Sequence, residues 1–228
     1  MALSNIIEYW TFASLGNAID FGDLVAEMYV SDGAVSDGTK GLFGGGQISG
    51  GVKVNYIQYV NIASLGNTID FGDLTLARGS KPGASNGTRG IWAGGIASNY
   101  DTVTIDYVTI ASLGNASDFG DLTDGRAHAG GCGDGIKGVF DGGYDAYNAT
   151  NIIDYVNIAS TGDASDFGDL LAAQFYVLTC SDGTNGVGAG GYLQSNVIQY
   201  WVMASLGNAS DFGDLTVTRK GNAPASGD

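Results

Sequence analysis

The stretch Ala13-Ser-Leu-Gly-Asn-Ala-Ile-Asp-Phe-Gly-Asp-Leu24 decides the reading of this chain, because it is written five times. Near-copies occupy 63–74, 111–122, 159–170 and 204–215. Each follows a short apolar run that carries a tyrosine, at Tyr9, Tyr59, Tyr107, Tyr155 and Tyr200, so the unit recurs every 45 to 50 residues. A period of roughly 40 to 50 residues marks a propeller, solenoid or array, in which one supersecondary unit buries its apolar face against the next. With units of about 5–53, 54–101, 102–149, 150–194 and 195–228, the 228 residues read as one ring or stack, a single domain.

Within a period the order is constant. A Gly-rich stretch leads into a short apolar run ending in Gly-Gly, then a longer β-rich run, a corner and a last short run, which together predict four strands, a to d. In the third period these fall at 129–132, 136–140, 151–159 and from Leu170 onward. Between a and b stands Ser-[Asp/Asn]-Gly-Thr, at 36–39, 85–88 and 181–184, with Gly133-Asp-Gly-Ile136 in the divergent copy. Asp-Gly and Asn-Gly favour tight hairpin turns with positive φ. The pairs Gly45-Gly46, Gly94-Gly95, Gly142-Gly143 and Gly190-Gly191 close strand b where a neighbouring backbone or ring comes near. Strand c is rich in Ile, Val and Tyr, as a half-buried strand requires. Helix signals are absent, and four antiparallel strands per period describe a propeller blade.

These features carry a resemblance. The Gly-Gly after strand b, the tyrosine of strand c, the aromatic of the c–d corner (Phe21, Phe71, Phe119, Phe167, Phe212) and the arginine after strand d (Arg78, Arg126, Arg219) resemble a kelch-type repeat along the whole chain. Phe stands where kelch repeats usually have Trp, and the corner is richer in aspartate, so no kelch binding site transfers. The repeated phrase is also similar to repeats in structural, fibre-like proteins of marine tailed phages and other environmental viruses. The resemblance implies an all-β, five-bladed kelch-like propeller. It also implies a non-enzymatic virion-associated decoration, fibre or adhesion protein whose partners are other virion proteins or a host-surface component.

Five c–d pairs accompany four a–b pairs. The fifth blade is therefore expected to combine strands c and d from the start of the chain with strand a from residues 223–228, and to lack strand b. An open sheet edge invites pairing, so the expectation is that the terminal residues fold in or that a neighbouring chain donates a strand.

Composition removes several function classes. A net charge of −15 opposes nucleic acid, whose affinity rests on cations that displace counterions. No apolar run approaches the ~20 residues of a membrane span, and residues 1–10 lack the basic start and cleavage site of a secretory signal. The reading is a soluble protein, with the virion as the location the resemblance implies. Cys132 and Cys180 stand where other copies have Val35, Ala84 and Ala225, which suits small buried hydrophobes better than a disulfide.

Candidate sites are correspondingly few. Asp-Phe-Gly appears without the other kinase signatures, and Gly44-Gly-Gly-Gln-Ile-Ser-Gly50 lacks the Gly-Lys-[Ser/Thr] ending of a phosphate loop. The paired aspartates Asp20/Asp23, Asp70/Asp73, Asp118/Asp121, Asp166/Asp169 and Asp211/Asp214 read as corner-capping residues, with calcium ligation the alternative. His128, the single histidine, reads as a solvated loop residue. No catalytic set or cofactor is implied, and the chain is not expected to be an enzyme.

The connections from strand d to the next strand a diverge most between copies. Arg78, Lys81, Arg126, Arg219 and Lys220 make three of them basic patches, on the face opposite the aspartate corners. The other two are apolar, and Met28, Tyr29, Phe175 and Tyr176 there are candidates for a protein contact or for core packing. Tyr100, Tyr144, Tyr147 and Tyr192, in the b–c loops, are candidates for stacking on sugar rings in a lectin-like propeller.

Overall fold

A computed structural model describes residues 4–11, 13–28, 33–98, 100–193 and 195–220. Among them the protein is all-β, without an α-helix; a single 3-10 turn lies at Ser49–Gly51. The first unit is a hairpin of β1 (Ser4–Tyr9) and β2 (Ile19–Met28). The second sheet comprises β3 (Ala34–Ser36), β4 (Lys40–Gln47), β5 (Lys53–Asn61) and β6 (Ile69–Asp73). The third is built from β7 (Gly83–Ser85), β8 (Arg89–Ala93), β11 (Thr104–Thr109) and β12 (Ser117–Asp121), with the small hairpin β9 (Ile96–Ala97) and β10 (Tyr100–Asp101) inserted between β8 and β11. The fourth holds β13 (Gly130–Gly133), β14 (Lys137–Asp141), β15 (Ile152–Asn157) and β16 (Ser165–Asp169). The fifth holds β17 (Leu178–Ser181), β18 (Asn185–Ala189), β19 (Val197–Val202) and β20 (Ser210–Asp214).

Sheets two to five are four-stranded antiparallel meanders in the expected order a-b-c-d, and the first unit has only its c and d strands among the described residues. Strands a succeed one another in space, β3 against β7, β7 against β13 and β13 against β17. Cores form between consecutive sheets. Leu42, Ile57 and Phe71 pack with Trp92, Val108 and Ile110 of the next sheet, Ile91, Ile105 and Phe119 with Phe140, Val156 and Ile158, and Val139, Ile153 and Phe167 with Trp201 and Met203.

Local chemistry explains the hairpins. Asp37 Oδ1 accepts from the Thr39 and Lys40 amides at 2.8 and 2.7 Å, and Asn86, Asp134 and Asp182 repeat the arrangement in the next three a–b turns. The following glycines, from Gly38 to Gly183, hold φ near +80° as such turns require. The double glycines receive the connection that leaves strand d of their own sheet for the next one. The Gly95 amide donates to the Arg126 carbonyl at 2.9 Å, and a Cβ on Gly94 would lie 2.5 Å from that oxygen.

Strand d departs from expectation. The fourth strand of each unit is the Asp-Phe-Gly-Asp motif itself, not the residues from Leu170 onward, which instead lead to the next sheet. The glycine of the motif, read from sequence as part of a corner, lies at φ between +142° and +149° in a β-bulge that keeps the chain extended. The repeated aspartates are therefore strand residues and not corner residues.

The motif turns out to be a lock between units. In the second unit the Gly66 amide donates to the Phe21 carbonyl at 2.8 Å and the Thr68 amide to the Asp23 carbonyl at 2.9 Å, while Asn67 Oδ1 accepts from the Asp23 amide at 3.0 Å. The same three bonds recur from 114–116 onto 71–73, from 162–164 onto 119–121 and from 207–209 onto 167–169. The Leu-Gly-Asn-Ala half of each motif thus sits on the Phe-Gly-Asp half of the one before. A Cβ on Gly22, Gly72, Gly120 or Gly168 would fall 2.3 to 2.5 Å from the carbonyl of the incoming glycine, so both the positive φ and the close approach require glycine there.

The charge reading is also corrected. Arg78 and Arg126 are 0 % exposed and Lys81 2 %, so two of the three basic connections present no basic patch. Arg78 donates to Asp106 at 2.7 Å and Arg126 to Asp154 at 2.8 Å, each reaching into the next sheet. Burying an unpaired guanidinium would be costly, and the carboxylate opposite offsets part of that cost. Cys132 is buried in the core between the fourth and fifth sheets, Cys180 is half-buried, and both are free thiols.

Candidate functional site

Once strands, turns and locks have taken their residues, one partly exposed feature stands out. The d–a connections of the third and fourth units and the b–c loops beside them bring five rings together. Phe175 stacks on Tyr192 with centroids 4.4 Å apart and an interplanar angle of 24°. Tyr144 lies 5.1 Å from Phe175, and Tyr176 lies 4.3 Å from the His128 imidazole. Lys220 places Nζ 3.9 Å from the centre of the Tyr192 ring.

Backbone bonds position these side chains. The Tyr192 amide donates to the Phe175 carbonyl at 2.8 Å, and Tyr144 exchanges two bonds with Ala127. His128 and Tyr176 occupy the same register of successive units, together with Ser80. Their amides form a ladder, His128 donating to the Ser80 carbonyl and Tyr176 to the His128 carbonyl, each at 2.9 Å. All three sit at φ near +60°, a region that non-glycine residues enter only when the surroundings hold them there.

His128 is therefore not a solvated loop residue. It is half-buried between Tyr176 and Phe175, and its Nε2 lies 3.4 Å from the Tyr176 hydroxyl. Burial raises the Tyr176 hydroxyl above its ordinary pKa, with Tyr192 adding to the effect. The cluster offers stacked ring faces beside one ammonium and one imidazole. That chemistry suits the apolar face of a sugar or an aromatic or aliphatic side chain, with a hydrogen bond from the imidazole or phenol.

The sequence candidates divide accordingly. Phe175, Tyr176, Tyr144 and Tyr192, expected as two separate sets, fall in one cluster. Tyr147 is exposed at the tip of the same b–c loop, where its carbonyl accepts from the Tyr144 hydroxyl at 3.2 Å. Tyr100 is exposed on β10, in an earlier unit and in none of these ring contacts. Met28 is half-buried at the end of β2, and Tyr29 lies outside the described residues, as do residues 223–228.

Of the aspartate pairs, Asp23, Asp73, Asp121 and Asp169 carry the inter-unit lock through their backbones, and Asp214 holds the corresponding place in the last unit. Asp20, Asp70, Asp118, Asp166 and Asp211 are exposed, and Asp211 caps the Gly213 amide at 3.0 Å. No group of three or more His, Cys, Asp or Glu side chains among the described residues is placed to share a metal ion. No described helix is long and apolar enough to cross a membrane.

Sequence reasoning missed one group. Asp141 is fully buried in β14, accepting from the Thr179 hydroxyl at 3.0 Å, and burial pushes its carboxyl up to about 7 against the pull of Thr179 and Arg126. The signal was present, since the other copies have Gly44, Ala93 and Ala189 at this place and an aspartate among small residues is out of pattern.

No protein-family model and no curated protein sequence matches this chain.

Proposed function

We propose that the protein is a non-enzymatic structural and interaction module, a virion-associated decoration, fibre or adhesion protein whose sheets are the blades of a five-bladed propeller. The observation that carries this reading is the use of the repeat. The Phe-Gly-Asp segments of the first four motifs, together with Arg78 and Arg126, hold one sheet to the next, and the specialised surface is aromatic. The virion assignment rests on the resemblance of the repeated phrase to viral fibre-like repeats, and the blade reading rests on the succession of inner strands. The test is association of the purified, labelled protein with virions and with host cells. Saturable binding weakened at least tenfold by Tyr192→Ala or Phe175→Ala supports the reading, and the absence of any saturable association removes it.

A second reading, a lectin-like propeller that recognises surface glycans, is favoured by the Phe175–Tyr192 stack with Tyr144 beside it. A glycan array discriminates the two. Hits lost in Tyr192→Ala establish the sugar reading, whereas a blank array with retained host or virion binding leaves a protein partner.

A further inference from the structure

The inter-unit lock is made four times among the described residues, and both of its halves are present once more without being joined. At the last unit, Phe212 is 68 % exposed, and no described atom lies within 4 Å of a Cβ built on Gly213. In the four made locks that place holds the neighbour's carbonyl. At the first unit, Leu15 to Ala18 carries the incoming half, Leu-Gly-Asn-Ala, and is exposed throughout. The two halves are not seated on each other within one chain.

A second, independent observation concerns charge. Each connection after strand d faces one side chain of the next strand c, the residue before its tyrosine. Where that residue is a carboxylate, the connection reads Thr-x-x-Arg. Thr75 and Arg78 bind Asp106, and Thr123 and Arg126 bind Asp154. Where it is an amide, the connection has an aliphatic residue and no cation. The Val25 amide donates to Gln58 Oε1 and the Leu171 amide to Gln199 Oε1, with Met28 and Gln174 at the arginine position. The last unit reads Thr216-Val-Thr-Arg219, the form that meets a carboxylate. Of the five residues before the tyrosines, Gln58, Asp106, Asp154 and Gln199 already face a connection. The fifth is Glu8, an exposed carboxylate in the register of Asp106, since Glu8 pairs with Asp20 as Asp106 pairs with Asp118. Arg219 and Thr216 are exposed as well.

We infer that the last unit of one chain docks the first unit of a second copy of this chain, head to tail. Phe212–Asp214 receives Leu15–Ala18, and Arg219 with Thr216 engages Glu8. The Gly16 amide then donates to the Phe212 carbonyl, the Ala18 amide to the Asp214 carbonyl, and Asn17 accepts from the Asp214 amide, as in the four internal locks. Because the two surfaces differ, the contact is heterologous, and repetition gives a closed ring or a filament. This self-association stands apart from whatever the aromatic cluster binds.

The experiment is sedimentation velocity of the full chain over a wide concentration range, with hydrogen exchange at the amides of Gly16, Ala18 and Asp214. The expected wild-type result is concentration-dependent assembly, with those amides becoming as protected as their counterparts Gly114, Ala116 and Asp73 in an internal lock. Arg219→Glu and Glu8→Arg each place like charges opposite one another and are expected to weaken assembly on the order of a hundredfold or more. Both positions are exposed, so both variants fold. Mixing the two variants restores opposite charges at every junction and is expected to restore assembly. A wild-type monomer with those amides unprotected overturns the inference. So does a monomer in which those amides are protected, since the chain then closes on itself. Assembly indifferent to both substitutions, or not rescued by mixing, overturns it by pointing to a different surface.

Discussion

Phe71 and Phe212 occupy the same place in two copies of one motif, edge-on to Tyr59 and Tyr200 at 6.0 and 6.1 Å, yet Phe71 is 3 % exposed and Phe212 68 %. The contact inside the unit is the same, and the difference is the neighbour. Phe71 is covered by Val108 and Ile110 of the next sheet and by the lock from Gly114 to Ala116, whereas no described residue stands over Phe212. A unit of this repeat completes its core only when the following unit arrives, so stability resides largely in the junctions.

The comparison is sharpest at the buried ion pairs. Asp106→Ala leaves Arg78 charged and buried and is expected to cost about 3 to 5 kcal/mol. Glu8→Ala, at the same register of the uncovered first unit, is expected to change stability by less than about 0.5 kcal/mol at concentrations where the chain is monomeric. Urea denaturation of both variants measures the contrast, and equal effects would break it. Phe71→Ala is expected to cost about 3 kcal/mol or more as a core truncation, against less than about 1 kcal/mol for Phe212→Ala in the same dilute solution.

Asp141 sharpens the comparison within the covered junctions, because burial there also controls protonation. Its folded pKa, about 7, lies above the unfolded value of 3.8. Between these values the unfolded state has released a proton that the folded state keeps, so stability is fully present below pH ~4, falls as pH rises towards 7 and levels off above. At about 1.4 kcal/mol per pKa unit the loss reaches on the order of 4 kcal/mol. Asp141→Asn keeps an acceptor for Thr179 and is expected to remove this fall. Urea midpoints of both proteins between pH 4 and 8 give the slope, and a variant with the wild-type slope would remove Asp141 as its cause.

The smallest effect lies in the lock itself. Asn115 Oδ1 accepts from the Asp73 amide at 3.0 Å, so Asn115→Ala is expected to cost about 1 kcal/mol. Asn17→Ala, at the equivalent place of the first unit, is expected to be neutral in the monomer and to weaken head-to-tail assembly instead.

Much of this was legible along the chain because it is local. Asp37-Gly38 and its counterparts specify their turns through bonds spanning two or three residues, and Gly94-Gly95 announced a close approach. The count of five c–d pairs and four a–b pairs appears in the sheets described. Asp-Phe-Gly-Asp was harder, since a glycine at φ between +142° and +149° serves a bulged strand as readily as a corner, and the partner that distinguishes them lies 40 to 45 residues away.

The sequence by itself thus determined the unit, its turns and its period, because these depend on backbone preferences and contacts between near neighbours. Tertiary structure decided which copies are buried, that Arg78 and Arg126 face carboxylates instead of water, and that His128 joins Phe175, Tyr176, Tyr144 and Tyr192 in one cluster. Burial and charge pairing depend on the surface an adjacent sheet presents, and identical residues acquire different environments when one has a neighbour and the other has none among the described residues.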